Sequence, residues 1–162
     1  MTIPHYDVAI IGSGFSGLGM GIFLRKAGRN DFIILEKAAD IGGTWRDNHY
    51  PGAACDVPSH MYSFSFEQNP DWSRFYSGQA EILAYMKKCA NKYNLMPHFR
   101  GNSELIESRW MDAEKHWLLT TGKGDQYTAR VVVSGIGGLS RPALPKVKGL
   151  DSFAGPTFHS AQ

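Results

Sequence analysis

Cysteine is nearly absent from this chain, with two in 162 residues. Cys55 and Cys89 stand far apart, match no metal-ligand spacing and are too few for a disulfide framework, so no metal site is implied and both read as reduced thiols. Long apolar runs are missing as well; none approaches the ~20 residues that a membrane-spanning helix requires. Residues 1–6, Met-Thr-Ile-Pro-His-Tyr, have neither the basic start nor the apolar stretch of an export leader, and a cytoplasmic protein is expected. Blocks of one charge are lacking too. The formal charge is +2 and Lys and Arg are scattered, which argues against nucleic acid or a membrane surface as partner. There is no internal repeat and no low-complexity segment. What remains is a globular chain, 43% apolar, of a size for one domain.

Glycine, by contrast, is placed with purpose. Asp7-Val8-Ala9-Ile10-Ile11 reads as a strand buried on both faces, and it runs straight into Gly12-Ser13-Gly14-Phe15-Ser16-Gly17. Gly12 permits a tight turn, Gly14 lets backbone approach a pyrophosphate, and Gly17 lets the next helix pack close to the sheet. A helix over residues 15–26, with Leu18, Ile22 and Phe23 at helical spacing, points its free amides and positive end at the phosphates. Gly28 closes that helix, and Phe32-Ile33-Ile34-Leu35 follows as a second buried strand. Glu36 ends it, nineteen residues after Gly17, where a carboxylate accepts hydrogen bonds from ribose hydroxyls and repels a ribose phosphate. Strand, turn, helix, strand and acid in that order predict a dinucleotide site for FAD or NAD, not NADP.

Beyond Glu36 the chain leaves regular structure until about Ser77, and long irregular segments in compact domains are usually functional. Ser77 is expected to cap a helix reaching Tyr93, with Ile82, Leu83, Met86 and Ala90 on its apolar face. Short strands are expected over 103–106, 107–110, 117–121 and 126–132, the later ones joined by turn-like segments, as a small antiparallel meander. Arg130-Val131-Val132-Val133 again reads as a strand of the parallel sheet, with Ser134-Gly135 at its carboxyl end, where ligands of such sheets bind. The expected fold is therefore α/β: a three-layer, Rossmann-like parallel sheet with an inserted meander at about residues 103–130. Residues 1–140 form the binding domain in this reading, and 141–162 begin a linker.

The most discriminating stretch is Gly42-Gly43-Thr44-Trp45-Arg46-Asp47-Asn48-His49-Tyr50-Pro51-Gly52-Ala53-Ala54-Cys55-Asp56. Paired glycines let backbone come close to a flat or charged ligand, and Trp45 and Tyr50 offer aromatic faces. Asp56 sits among small and apolar neighbours, where a buried carboxylate would either raise its pKa or pair with a cation. Cys55 beside it has no partner base at a meaningful spacing and is not read as a nucleophile.

Here the chain resembles the Baeyer-Villiger monooxygenases, a class of flavin-dependent monooxygenases. Their fingerprint is met without a departure in spacing at Gly43, Trp45, Tyr50, Pro51, Gly52 and Asp56. A second signature begins at Phe153, Gly155 and His159, and its Trp would fall one residue past Gln162. The resemblance spans essentially the whole sequence. It implies the N-terminal FAD-binding part of a longer enzyme, in which NADPH bound by a further dinucleotide fold reduces FAD. The reduced flavin and O2 then give a peroxyflavin that converts a ketone substrate to an ester or lactone. No second glycine fingerprint occurs here, so no NADPH site is expected in this chain, and the family's later arginine is missing. Asp56 is implied to orient that arginine, as an indirect catalytic residue. Lys37, Thr44 and Leu105 join the cofactor-binding residues by resemblance, Leu105 through its backbone at the adenine, while His159 is implied to be structural. A related enzyme oxidising amines or sulfides, and a non-catalytic flavin-binding module needing a partner chain, are the competing readings.

Overall fold

A computed structural model describes residues 2–160. Its centre is strand β1 (His5–Ile11), whose Val8, Ala9 and Ile10 are buried because both faces of the sheet are covered. Helix α1 (Phe15–Lys26) returns the chain to β2 (Phe32–Leu35), which pairs parallel to β1 and is buried along its whole length. Ala27 ends α1, and Gly28 takes the left-handed conformation, φ 73°, that the sequence assigns to it.

After a long irregular stretch come a single short helical turn, α2 (Thr44–Asp47), then α3 (Gln79–Lys92), β3 (Phe99–Arg100), β4 (Leu105–Met111), β5 (His116–Thr121) and β6 (Gln126–Ser134). The six strands are ordered β3-β2-β1-β6-β5-β4. Strands β3, β2, β1 and β6 are parallel, whereas β6-β5-β4 are antiparallel.

Two cores make the layers. On one face Ile10 and Ile34 meet Leu18 and Ile22 of α1 and Ile82, Met86 and Ala90 of α3. On the other, Ala9, Ile33 and Leu35 share a cluster with Leu119 of β5 and Ala129 of β6, so the antiparallel strands curl over the parallel ones as the third layer.

Three local expectations change. Ser77 does not cap α3: its hydroxyl lies 2.7 Å from that of Ser59, and the cap position is Gly78, with no side-chain cap. Residues 103–106 and 107–110 are not two strands; β4 is one strand that begins at Leu105, with a bulge between Leu105 and Glu107. The end of the meander and the last parallel strand are likewise one nine-residue element, β6. It pairs antiparallel with β5 at Gln126–Ala129 and parallel with β1 from Thr128 to Ser134. The meander is thus continuous with the main sheet.

The irregular stretch is pinned by aromatic packing. Phe64 lies against Gly19 of α1 and 5.2 Å from the Phe15 ring. The Tyr85 hydroxyl accepts from the Phe64 N–H (2.8 Å) and donates to the Glu67 carbonyl (2.6 Å), and burial pushes its pKa far above the usual phenol value.

Candidate nucleotide-binding cleft

From β1 the chain proceeds to β2 and β3 on one side, while β6 occupies the other, which puts the topological switch point of the sheet at the carboxyl end of β1. A cavity of about 460 Å³ opens there. Gly12, Ser13, Gly14, Phe15 and Ser16 line it, with Glu36 and Lys37 beyond β2, Gly43, Thr44 and Trp45 at the start of α2, Leu105 from β4, and Ser134 and Gly135 at the end of β6.

The glycines have separate reasons. Gly12 has φ 94°, and a Cβ on it would lie 2.7 Å from the Gly135 carbonyl oxygen. Gly17 does not line the cavity; a Cβ there would stand 1.9 Å from the Gly12 carbonyl oxygen, so it seats α1 on the turn as the sequence pattern requires. Gly43, with φ 51°, presses on Gly14, where an added Cβ would meet the Gly14 Cα at 3.1 Å. The paired glycines therefore bring two backbone turns together, and the Gly42 N–H donates to the Ser13 carbonyl at 3.0 Å. No side chain caps α1 and its first turn holds no acid, so its leading amides face the cavity as an anion site.

Glu36 is 4% exposed. Its Oε2 accepts from the Ser13 N–H (2.9 Å) and hydroxyl (2.7 Å). Its Oε1 accepts from the Ala38 N–H (3.0 Å) and lies 3.3 Å from Nη1 of Arg46. A carboxylate offers about four lone-pair sites, and protein donors face all of them. Glu36 thereby fastens the glycine turn, the end of β2 and α2 to one another while lining the cavity.

Arg46 was not among the residues expected from sequence. Its Nε and Nη2 donate to the two oxygens of Asp47 (2.8 and 2.9 Å), and Nη1 donates to the Asp40 carbonyl (2.6 Å). Burial works against its charge most strongly, but the hydrogen bonds it donates to Asp47 and the charges of Glu36 and Asp47 together raise its pKa. Arg46, Asp47, Tyr62, Ser103, Glu104 and Ser108 also line the cavity. A charged pair directly after Trp45 was a usable signal; nothing in spacing marks Tyr62.

Trp45 turns its indole N–H to the Tyr62 hydroxyl (3.0 Å), the Phe15 ring meets Tyr62 edge-on at 5.1 Å, and the Gln79 amide donates to the Trp45 carbonyl. Lys37 donates from Nζ to the Ser140 carbonyl (2.9 Å). Tyr50 and Asp56 are not brought to this cavity. Tyr50 is 48% exposed and borders a separate hollow with Pro51, Phe158 and His159. Asp56 is exposed, so the buried-carboxylate condition does not arise, and the neighbouring Cys55 is buried instead.

The parallel sheet, the glycine turn and the uncapped helix define a Rossmann-like dinucleotide-binding unit, and residues 10–78 match the model of the NAD(P)-binding Rossmann-like domain. The sequence is 54% identical to the Baeyer-Villiger monooxygenase of Pseudomonas aeruginosa and 52% identical to that of Streptomyces coelicolor, each over 98% of this chain and 30% of the relative. It is 42% identical to an FAD-binding monooxygenase of Aspergillus niger, over 96% of this chain and 27% of that protein. The structure of cyclohexanone monooxygenase from Rhodococcus sp. Phi1 bound to NADP+ superposes with a TM-score of 0.89 at 36% identity, over 99% of this chain and 31% of that one. The chain is a homologue of the Baeyer-Villiger monooxygenases, spanning about 30% of the length of the curated relatives it matches.

Proposed function

We propose that this chain holds FAD within an NADPH- and O2-dependent monooxygenase that converts ketones to esters or lactones. The observation that carries this is the close seating of two glycine turns beneath an uncapped helix at the switch point of the sheet, in a chain 54% identical over 158 residues to part of a Baeyer-Villiger enzyme. The cleft fits the ADP half of the cofactor: its volume lies within the ~300–1,000 Å³ of small-molecule sites and its phosphate end is backbone. Bound FAD would supply the electron-transfer and dioxygen chemistry.

In this reading Gly12 to Ser16 cradle the pyrophosphate and Gly17 sets the helix that faces it. Glu36 and Lys37 flank the ribose, Leu105 borders the adenine, and Ser134 and Gly135 close the far wall. Gly43, Thr44 and Trp45 form the wall toward the flavin. Tyr50 and Asp56, on the outward part of the loop, serve groups contributed from beyond this chain, Asp56 as the orienting carboxylate for an arginine. Residues 1–140 are the FAD-binding domain and 141–162 lead toward the NADPH-binding part. No helix among the described residues is long and apolar enough to cross a membrane. Two free, buried cysteines suit a reducing cytoplasm.

The test has two arms. The purified chain is titrated with FAD and flavin fluorescence quenching is followed; saturable binding is expected, and its absence overturns the site. A longer protein carrying the relatives' full length is then assayed for NADPH oxidation with cyclohexanone, with lactone as the expected product. Turnover that is stimulated by an amine or sulfide, but not by the ketone, would replace the proposed substrate class.

A further inference from the structure

An enzyme that takes FAD in one cleft and NADPH elsewhere has to keep the reductant out of the flavin site, and the two adenosine ends differ by a phosphate on the ribose 2′-hydroxyl. Sequence alone gives that discrimination to Glu36. The structure changes the electrostatics, because the Arg46 guanidinium stands 3.3 Å from the Glu36 carboxylate and lines the same cavity. An arginine beside the ribose acid is the feature that accommodates a 2′-phosphate in NADP sites. Left free, Arg46 would work against exclusion.

It is not free. Asp47 grips it bidentately through Nε and Nη2 at 2.8 and 2.9 Å, and the Asp40 carbonyl takes Nη1 at 2.6 Å. Of the five guanidinium protons, two face Asp47, two serve Asp40 and Glu36, and one on Nη2 remains. The planar fork that a phosphate would engage is the edge Asp47 occupies. The Arg46 side chain is 15% exposed and that of Asp47 36%, so the clamp sits at the cavity wall, shielded more than a surface pair. Glu36, Arg46 and Asp47 sum to one negative charge at the ribose end.

We propose that Asp47 is a specificity-determining residue: it sequesters Arg46 and so keeps 2′-phosphorylated adenosine nucleotides out of the cleft. This rests on the dinucleotide-binding reading above. Lys37 and Arg141 line the same cavity and would also attract a phosphate, but neither touches Asp47 in any hydrogen bond or ion pair among the described residues. Substituting Asp47 therefore isolates the Arg46 contribution.

The experiment measures calorimetric affinities of the nucleotide-free chain for ADP and for adenosine 2′,5′-bisphosphate. The comparison covers the wild type, Asp47→Asn, Asp47→Ser, and Asp47→Asn combined with Arg46→Met. The ratio favouring ADP is expected to fall about tenfold in both single variants, one charge-assisted hydrogen bond gained by the phosphate, and to return in the double variant. An unchanged ratio in Asp47→Asn and Asp47→Ser overturns the inference while leaving the nucleotide site standing. If wild type binds neither probe nor FAD, the site and the inference fall together. FAD binding by both single variants shows that the cleft has folded.

Discussion

Residues 12–17 and residues 43–56 both follow a buried strand and both carry glycines, yet they are held in different ways. In the first, two glycines are required by a backbone atom, Gly12 by the Gly135 carbonyl and Gly17 by the Gly12 carbonyl, and Gly14 is the floor on which Gly43 rests. In the second, only the start is so constrained. Gly43 to Asp47 are locked to the turn and to Glu36, whereas Tyr50 is half exposed, Gly52 has nothing near its missing side chain, and Asp56 faces solvent. A recurring spacing in sequence therefore need not mark one site. Its early residues belong to the cleft and its later ones to a surface.

Substitutions can break that division, and the largest effect is expected at Gly17. A methyl group there would overlap the Gly12 carbonyl oxygen at 1.9 Å, and Gly17→Ala should lower the urea unfolding free energy by at least ~3 kcal/mol. Next comes Glu36→Ala, which strips the acceptor from Ser13 and Ala38 and leaves Arg46 short of a counter-charge. A loss of ~2 kcal/mol is expected by the same measurement, with weakened FAD binding. Asp56→Asn provides the contrast and should change stability by no more than ~0.5 kcal/mol. A loss at Asp56 as large as that at Glu36 would erase the distinction between the two halves of the loop.

A milder test uses acid. Hydrogen bonding from Lys92 holds the Glu67 carboxyl below its ordinary pKa, Lys87 does the same for Asp40, and the Ser73 N–H does so for Glu81. Groups with depressed folded-state values stabilise the fold above the ordinary carboxylate range near ~4, and that contribution is lost as pH falls through the lowered values. Stability should therefore decline below pH ~4, and Lys92→Met should flatten the part of that decline owed to Glu67. Glu67 and Asp40 sit in the loop outside the glycine turn, so its aromatic anchoring should loosen first. Amide exchange of Phe64, whose N–H is held by Tyr85, reports it.

Much of this was legible beforehand. Apolar runs and glycine positions were enough to place β1, α1, β2 and α3, because burial on both faces leaves a continuous apolar signature and a helix packed on one face leaves a periodic one. The curl of β4 to β6 over the sheet was not, since a strand serving two ladders has no distinctive local pattern. The position of Glu36 at the end of β2 was legible, but its pairing with Arg46 was not, because that side chain reaches back from α2, ten residues away. The outward turn of Asp56 was hidden for the opposite reason: its small, apolar neighbours suggested burial, and only Cys55 went inside.

The contact between Gly14 and Gly43 carries a consequence for inheritance. Gly43 is the constrained member, with φ 51° and no room for a Cβ against the Gly14 backbone, so a side chain at residue 43 is acceptable only where the turn at residue 14 has retreated. A chimera whose crossover falls between residues 17 and 42, taken from parents that differ in how these turns approach, should fail at this seam even though each parental half is sound by itself.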